Sequence, residues 1–143
     1  MTEAEAQELA RKCAAAMYER DEAAREMGIA IEHVAPGEAV LSMAVRTDMI
    51  NGHAICHGGY IFALADTAFA YACNSRDAVT VAQSCSIEYL SPVREGERLT
   101  AQARELHRSA RSGIYDVMVE REDGTAVAHF RGRARQIEGR VLQ

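Results

Sequence analysis

Tyr60-Ile-Phe-Ala-Leu-Ala-Asp-Thr-Ala-Phe-Ala-Tyr-Ala-Cys-Asn74 has the length and alanine content of a helix but almost no polar face. A helix that is apolar on nearly every side is enclosed by the rest of its protein. The run is interrupted by Asp66 and Thr67 and falls short of the roughly 20 residues that span a bilayer, so no membrane anchor is expected. What surrounds such a helix has to be read from the flanking segments.

On its N-terminal side stands a glycine-containing loop, Asn51-Gly-His-Ala-Ile-Cys-His-Gly-Gly59. Before the loop, Ile29 and Ile31, a Pro36-Gly37 turn, and Leu41, Met43 and Val45 alternating with Ser42 and Ala44 predict a β-hairpin. Earlier still, Thr2 stands three residues before Glu5, a capping-box spacing, and good helix formers continue to Glu26, predicting one amphipathic helix. Beyond Asn74, strand-like runs at about 79–90, 97–106, 114–121 and 126–135 are punctuated by Ser91-Pro92, Glu95-Gly96 and Asp123-Gly124. These turns predict hairpins and hence an antiparallel sheet. About six strands and one enclosed helix bury each other most economically when the sheet curls around the helix, an α+β fold.

The chain of 143 residues, 48% hydrophobic and 26% charged, suits one compact domain: an N-terminal helix over 1–26, a core over 27–137 and a tail over 138–143. A net charge of −5 and a pI near 5.5 argue against general attraction to nucleic acid or to an acidic membrane. Cys13, Cys56, Cys73 and Cys85 form no C-x-x-C pair, and no leader is legible before them. A cytoplasmic protein with small buried thiols is the expectation.

Asp66 is the residue out of place, with Ala63-Leu64-Ala65 before it and Ala68-Phe69-Ala70 after it. An ionised carboxylate on an enclosed helix costs several kcal/mol unless partners or water reach it. The bland alternative is a structural Asp bonded to nearby backbone or to an arginine. It gains nothing from capping, because Asp66 lies about two turns inside the helix. At the helix start, His57-Gly58-Gly59 offers unpaired N–H groups and the positive end of the dipole, which polarise a carbonyl and stabilise the oxyanion formed on attack. Asn51 adds an amide suited to orienting water or a carbonyl, although Asn-Gly is often simply a turn. His53, Cys56 and His57 lack a second cluster to complete a metal site, and His57 is expected to bond the loop and fix its shape.

At about 1.5 Å per residue, Asp66 lies roughly 12 Å along the helix from Gly58, too far for one carbonyl to touch both. If both act on one substrate they come from different chains, across a two-fold axis.

Asn51-x5-His57-Gly58-Gly59-x6-Asp66, followed by Thr67-Ala-Phe-Ala-Tyr-Ala-Cys-Asn74, closely resembles the hotdog-fold thioesterases of phenylacetate degradation, the PaaI family. The likeness runs on through Tyr89-Leu90-Ser91-Pro92 and Val127-Ala128-His129-Phe130-Arg131-Gly132, covering roughly residues 27 to 137. It implies a sheet curled around a long helix, homodimers that share their active sites and pair again into tetramers, and hydrolysis of acyl-CoA thioesters, often aryl-acetyl ones. No cofactor is implied, since coenzyme A is part of the substrate. By position, Asp66 resembles the catalytic carboxylate, contributed by the opposite subunit. The Gly58 N–H resembles the carbonyl-polarising donor and Asn51 the orienting amide, with His57 and Gly59 beside the substrate. Ser84 matches a hydroxyl that positions water in some relatives. Arg108, Arg111 and Ser112 fall where relatives contact CoA phosphates, a role that suits guanidinium groups. Tyr60, Phe62 and Phe69 could favour an aromatic acyl group.

Two other readings share this framework. An acyl-CoA hydratase usually pairs its acid with a histidine, and here Asn51 holds the orienting position. A non-catalytic acyl-CoA sensor has no need of a costly buried carboxylate, and no DNA-binding extension is expected before the domain.

Overall fold

The computed structural model describes residues 1–143. Helix α1 (Glu3–Arg20) opens on the expected capping box: the Thr2 hydroxyl accepts from the Glu5 N–H, and the Glu5 carboxylate accepts from the Thr2 N–H. The single helix expected to reach Glu26 breaks at Asp21, and a short helix α2 (Glu22–Glu26) restarts there. The Asp21 carboxylate causes the break. One oxygen caps α2 by accepting from the Ala24 N–H, and the other accepts from the hydroxyl of buried Tyr71.

Strands β1 (Ala30–Ala35) and β2 (Glu38–Ala44) form the expected hairpin, with Gly37 at φ +76° in its turn. The glycine loop then leads into helix α3 (Gly58–Cys73), followed by β3 (Thr80–Tyr89), β4 (Arg98–Arg108), β5 (Ser112–Arg121) and β6 (Ala126–Gln136). All pairings are antiparallel, in the order β1-β2-β4-β5-β6-β3. A simple run of hairpins is therefore not what forms. After α3 the chain lays β3 against β6 at the far edge, and β4 takes the place beside β2. The helix crossing one face of the sheet separates β2 from β3, so neighbours in sequence are not neighbours in the sheet.

One face of α3, with Ile61, Leu64, Ala65, Ala68, Phe69 and Ala72, is buried. It meets alternating residues of the sheet, among them Leu41, Met43, Leu99, Val117 and Phe130. The Phe69 ring lies so close over Gly132 that a Cβ there would meet it at 2.7 Å, which explains a glycine in mid-strand. This is the α+β hotdog architecture, a curled antiparallel sheet around a long helix with a helix in front.

The enclosure of α3 is incomplete within one chain. Gly59, Tyr60, Ala63, Asp66, Thr67 and Ala70 escape full burial, and at helical spacing Gly59, Ala63, Asp66 and Ala70 form one open stripe. Edge strand β3 is equally open, exposed from Val81 through Ser86. Cys85 lies on it, so one of the four thiols expected to be buried is exposed. The tail is folded back rather than free: Val141 is buried, and Asp77 accepts from the Arg140 side chain and the Leu142 N–H. No helix is long and apolar enough to cross a membrane.

Candidate active site

The loop before α3 is tied on both sides. Asn51 Oδ1 accepts from the N–H groups of His53 (2.9 Å) and Ile55 (3.3 Å), and the Asn51 N–H donates to the Ile55 carbonyl. Ala54 is held at φ +62°, a left-handed conformation that alanine rarely adopts. The Cys56 N–H donates to the Val93 carbonyl and the His57 N–H to the Met49 carbonyl. The next donor to find a partner is the Tyr60 N–H, on the His57 carbonyl. Gly58 and Gly59 thus present two free N–H groups at the positive end of α3, and no side chain caps them.

His57 does not do what was expected of its side chain. The imidazole is exposed and makes no hydrogen bond; the backbone N–H anchors the loop instead. As the N-cap residue (φ −55°, ψ 134°), His57 makes no side-chain cap bond to the helix.

Two clefts flank the helix start. One, of about 520 Å³, is lined by Asn51, Ile55, Cys56, Gly58, Ile61 and Tyr89 together with the Leu90–Val93 segment. The other, of about 590 Å³, is lined by Met27, Asp48, Ile50, His57, Gly59, Tyr60 and Ala63. Asn51 and Gly58 therefore line one cleft and His57 and Gly59 the other, with the two free N–H groups at the helix end between them. Asn51 uses its carbonyl oxygen inside the loop and keeps its Nδ2 donors unpaired.

Asp66 lines neither cleft. It stands on the open stripe of α3 with no hydrogen bond and no ion pair, so the structural-aspartate alternative has no partner to support it. Burial raises its carboxyl above the ordinary 3.8. Cys85 is a neighbour: burial and the Asp66 charge both push its thiol upward. Ser84, next to Cys85 on β3, follows a bulge and is exposed. It is not a packed strand serine.

Arg108, Arg111 and Ser112 do converge, at the opposite end of α3, on a notch shared with Ser109 and Arg76. Arg76 gives no sign of this in the sequence, because only the fold brings it there. Both its NH groups engage Glu105, at 2.8 and 3.2 Å, with Tyr115 Oη at 2.9 Å and Arg108 Nε at 3.7 Å from the same carboxylate. Burial pushes the Glu105 carboxyl up, but these partners outweigh it and hold it below the ordinary value. The Arg111 guanidinium has no such partner and is exposed.

Of the aromatic residues expected at an acyl pocket, only Tyr60 lines a cleft. Phe62 is half-buried, edge-on to Phe130 with ring centres 5.4 Å apart. Phe69 is core, because its position on α3 faces the sheet.

Comparison with known proteins gives the family. A family model described as the thioesterase superfamily matches residues 53–128. The chain is 45% identical over 126 residues to the acyl-coenzyme A thioesterase PaaI of Escherichia coli (strain K12), covering 88% of this chain and 90% of that one. The solved structure of the E. coli PaaI protein from the phenylacetic acid degradation operon superposes with a TM-score of 0.93 at 44% identity, over 94% of this chain and 97% of that one. A mutant structure of the phenylacetic acid degradation protein PaaI from Thermus thermophilus gives 0.77 at 41% identity, over 80% and 97%.

Proposed function

Because this chain belongs to the thioesterase superfamily, as an acyl-CoA thioesterase of the phenylacetate-degradation (PaaI) family, we propose that it hydrolyses small or aryl acyl-CoA thioesters at sites shared between two subunits. The observation that carries this reading is Asp66, a half-buried carboxylate without a partner, on the same helix that begins with two free N–H donors.

The thioester carbonyl sits against the Gly58 N–H, where the helix start favours the negative charge that develops on oxygen. Gly59 adds a second donor, with His57 beside it, and Asn51 Nδ2 orients the carbonyl or the attacking water. Asp66 of the partner subunit accepts a proton from water as the water oxygen bonds to the carbonyl carbon. The tetrahedral oxyanion collapses and breaks the C–S bond, and the departing CoA thiolate takes up a proton. Direct attack by the carboxylate, giving an anhydride that water then opens, uses the same groups. Ser84 holds the water. The open stripe of α3 and the exposed edge of β3 support a dimer, since a partner there covers apolar helix and satisfies edge hydrogen bonds. Two such dimers form the tetramer that the resemblance implies. Arg108, Arg111 and Ser112 hold the CoA phosphates, with Arg76 stiffening their notch. Four free thiols suit a reducing cytoplasm.

Thiol release from a panel of short-chain, long-chain and aryl acyl-CoAs tests the activity, and its absence on every member would sink this reading. The shared site has its own test. Chains carrying Asp66→Asn and chains carrying Asn51→Ala are each expected to be weak alone. Co-expressed, they recover up to about one quarter of wild-type activity, because half of the dimers are mixed and one of their two sites is intact. No recovery would place each site within one chain.

A further inference from the structure

Tyr89, the last residue of β3, reaches back 31 positions in sequence to the start of α3. Its hydroxyl donates to the Gly58 carbonyl at 2.8 Å. Its ring lies against the Gly58 Cα, where a Cβ would meet Tyr89 Cζ at 2.9 Å and Oη at 3.0 Å. Gly58 leaves the ring its place: its φ is not in the left-handed region, and a side chain there would push the Tyr89 ring aside.

Packing of the core does not account for this tyrosine. It is 51% exposed, and its hydroxyl makes no bond other than the one to Gly58. Both residues line the same cleft as Asn51. The carbonyl of Gly58 and the N–H of Gly59 belong to one rigid peptide plane, so anchoring the first fixes the direction of the second. A hydrogen bond on that carbonyl also polarises the amide and strengthens the Gly59 N–H as a donor. The Gly58 N–H belongs to the preceding peptide plane, whose His57 carbonyl accepts from the Tyr60 N–H.

We propose that Tyr89 is a positioning residue for thioester hydrolysis: its hydroxyl holds the Gly58–Gly59 peptide so that the free Gly59 N–H keeps its aim, and its ring walls the cleft beside the reacting carbonyl. This rests on the thioesterase reading. Burial raises the phenol above its ordinary value of 10, so the proton that makes the bond stays in place at neutral pH.

Tyr89→Phe keeps the wall and removes the anchor. In the purified oligomer, kcat is expected to fall about 3- to 10-fold, the scale of one positioned hydrogen bond, with KM changed by less than about twofold. Thermal stability is expected to match the wild type. Tyr89→Ala is expected to raise KM as well, by removing the wall. Gly58→Ala keeps the N–H but drives the ring away, so adding Tyr89→Phe to it should cost no further activity. The proposal is overturned if Tyr89→Phe retains wild-type kcat, raises KM alone, loses activity only in step with a fall in Tm, or multiplies its loss with that of Gly58→Ala. Failure of the thioesterase reading looks different, since the wild type itself would then release no thiol from any acyl-CoA.

Discussion

The two ends of α3 are finished in opposite ways. At its C-terminus, buried Asn74 donates to the carbonyls of Ala70 and Thr80 and accepts from the Thr80 N–H. Buried Ser75 donates to the Ala72 carbonyl and accepts from the Gly37 N–H. These side chains lock the helix end to the β1–β2 turn and to the start of β3. At the N-terminus nothing caps Gly58 and Gly59, and two clefts open onto them. A helix end left unsatisfied costs stability that a side-chain cap would supply, typically about 1 kcal/mol. Its retention makes sense where a ligand supplies the missing acceptor. One end is closed by side chains of the fold, the other is left open.

Substitutions at the two ends and between them are expected to separate cleanly into losses of activity and losses of stability. Asp66→Asn should lower kcat by about 10²–10⁴, the range for losing a general base, while fold and oligomeric state persist. Near-normal turnover in that variant would remove Asp66 from the mechanism. Asn74→Ala strands the Thr80 N–H and takes a donor from the Thr80 carbonyl, while the Ala70 carbonyl keeps the backbone N–H of residue 74, and a loss of about 1–3 kcal/mol in denaturant unfolding is expected with kcat per folded enzyme unchanged. An equally large fall in kcat would erase the distinction between the ends. At the basic notch, Arg111→Gln should raise KM for an acyl-CoA by about 3- to 10-fold, as expected for one charge-assisted hydrogen bond. KM for a truncated thioester lacking the nucleotide should stay put, and parallel changes for both substrates would count against phosphate contact.

The pH dependence is a finer probe of the middle of the helix. Asp66 must be ionised to accept a proton, and burial raises its carboxyl above 3.8, so the acid limb of kcat should have its midpoint above that value. The linkage runs the other way for stability. A raised folded-state pKa favours the neutral form, so its stabilising contribution is present below 3.8 and is lost as pH rises through the folded value. Asp66→Asn should therefore match or slightly exceed the wild-type Tm near neutrality, with the gain vanishing in acid. A variant less stable at neutral pH than in acid, relative to wild type, would contradict that sign.

Much of this architecture is encoded locally. The capping box at Thr2 and Glu5, the Pro36-Gly37 hairpin, the α3 run and the four later strands are governed by contacts within a few residues, and each forms where its pattern stands. The glycine pair and Asp66 are legible for the same reason, as a breaker before a helix and a charge inside an apolar run. Asp21 is not legible as a helix break because its second partner, Tyr71, lies 50 residues away. Phe69 and Cys85 depart from expectation because periodicity gives a face without saying what that face meets: the sheet for Phe69, the open edge beside Asp66 for Cys85. The contacts of Tyr89 and Arg76 give no local signal, since each is made to a residue about 30 positions distant.

By itself, then, the sequence determined the elements, the loop with its two free donors, and the roughly 12 Å of helix that keeps Gly58 and Asp66 apart, because helical rise is a local constant. Only the tertiary structure decided that β3 lands on the edge beside β6, that Asp66 stands on an open stripe without a partner, and that Tyr89 closes on Gly58. Those outcomes depend on how a curled sheet distributes its faces around one helix, and no stretch of chain carries that information alone.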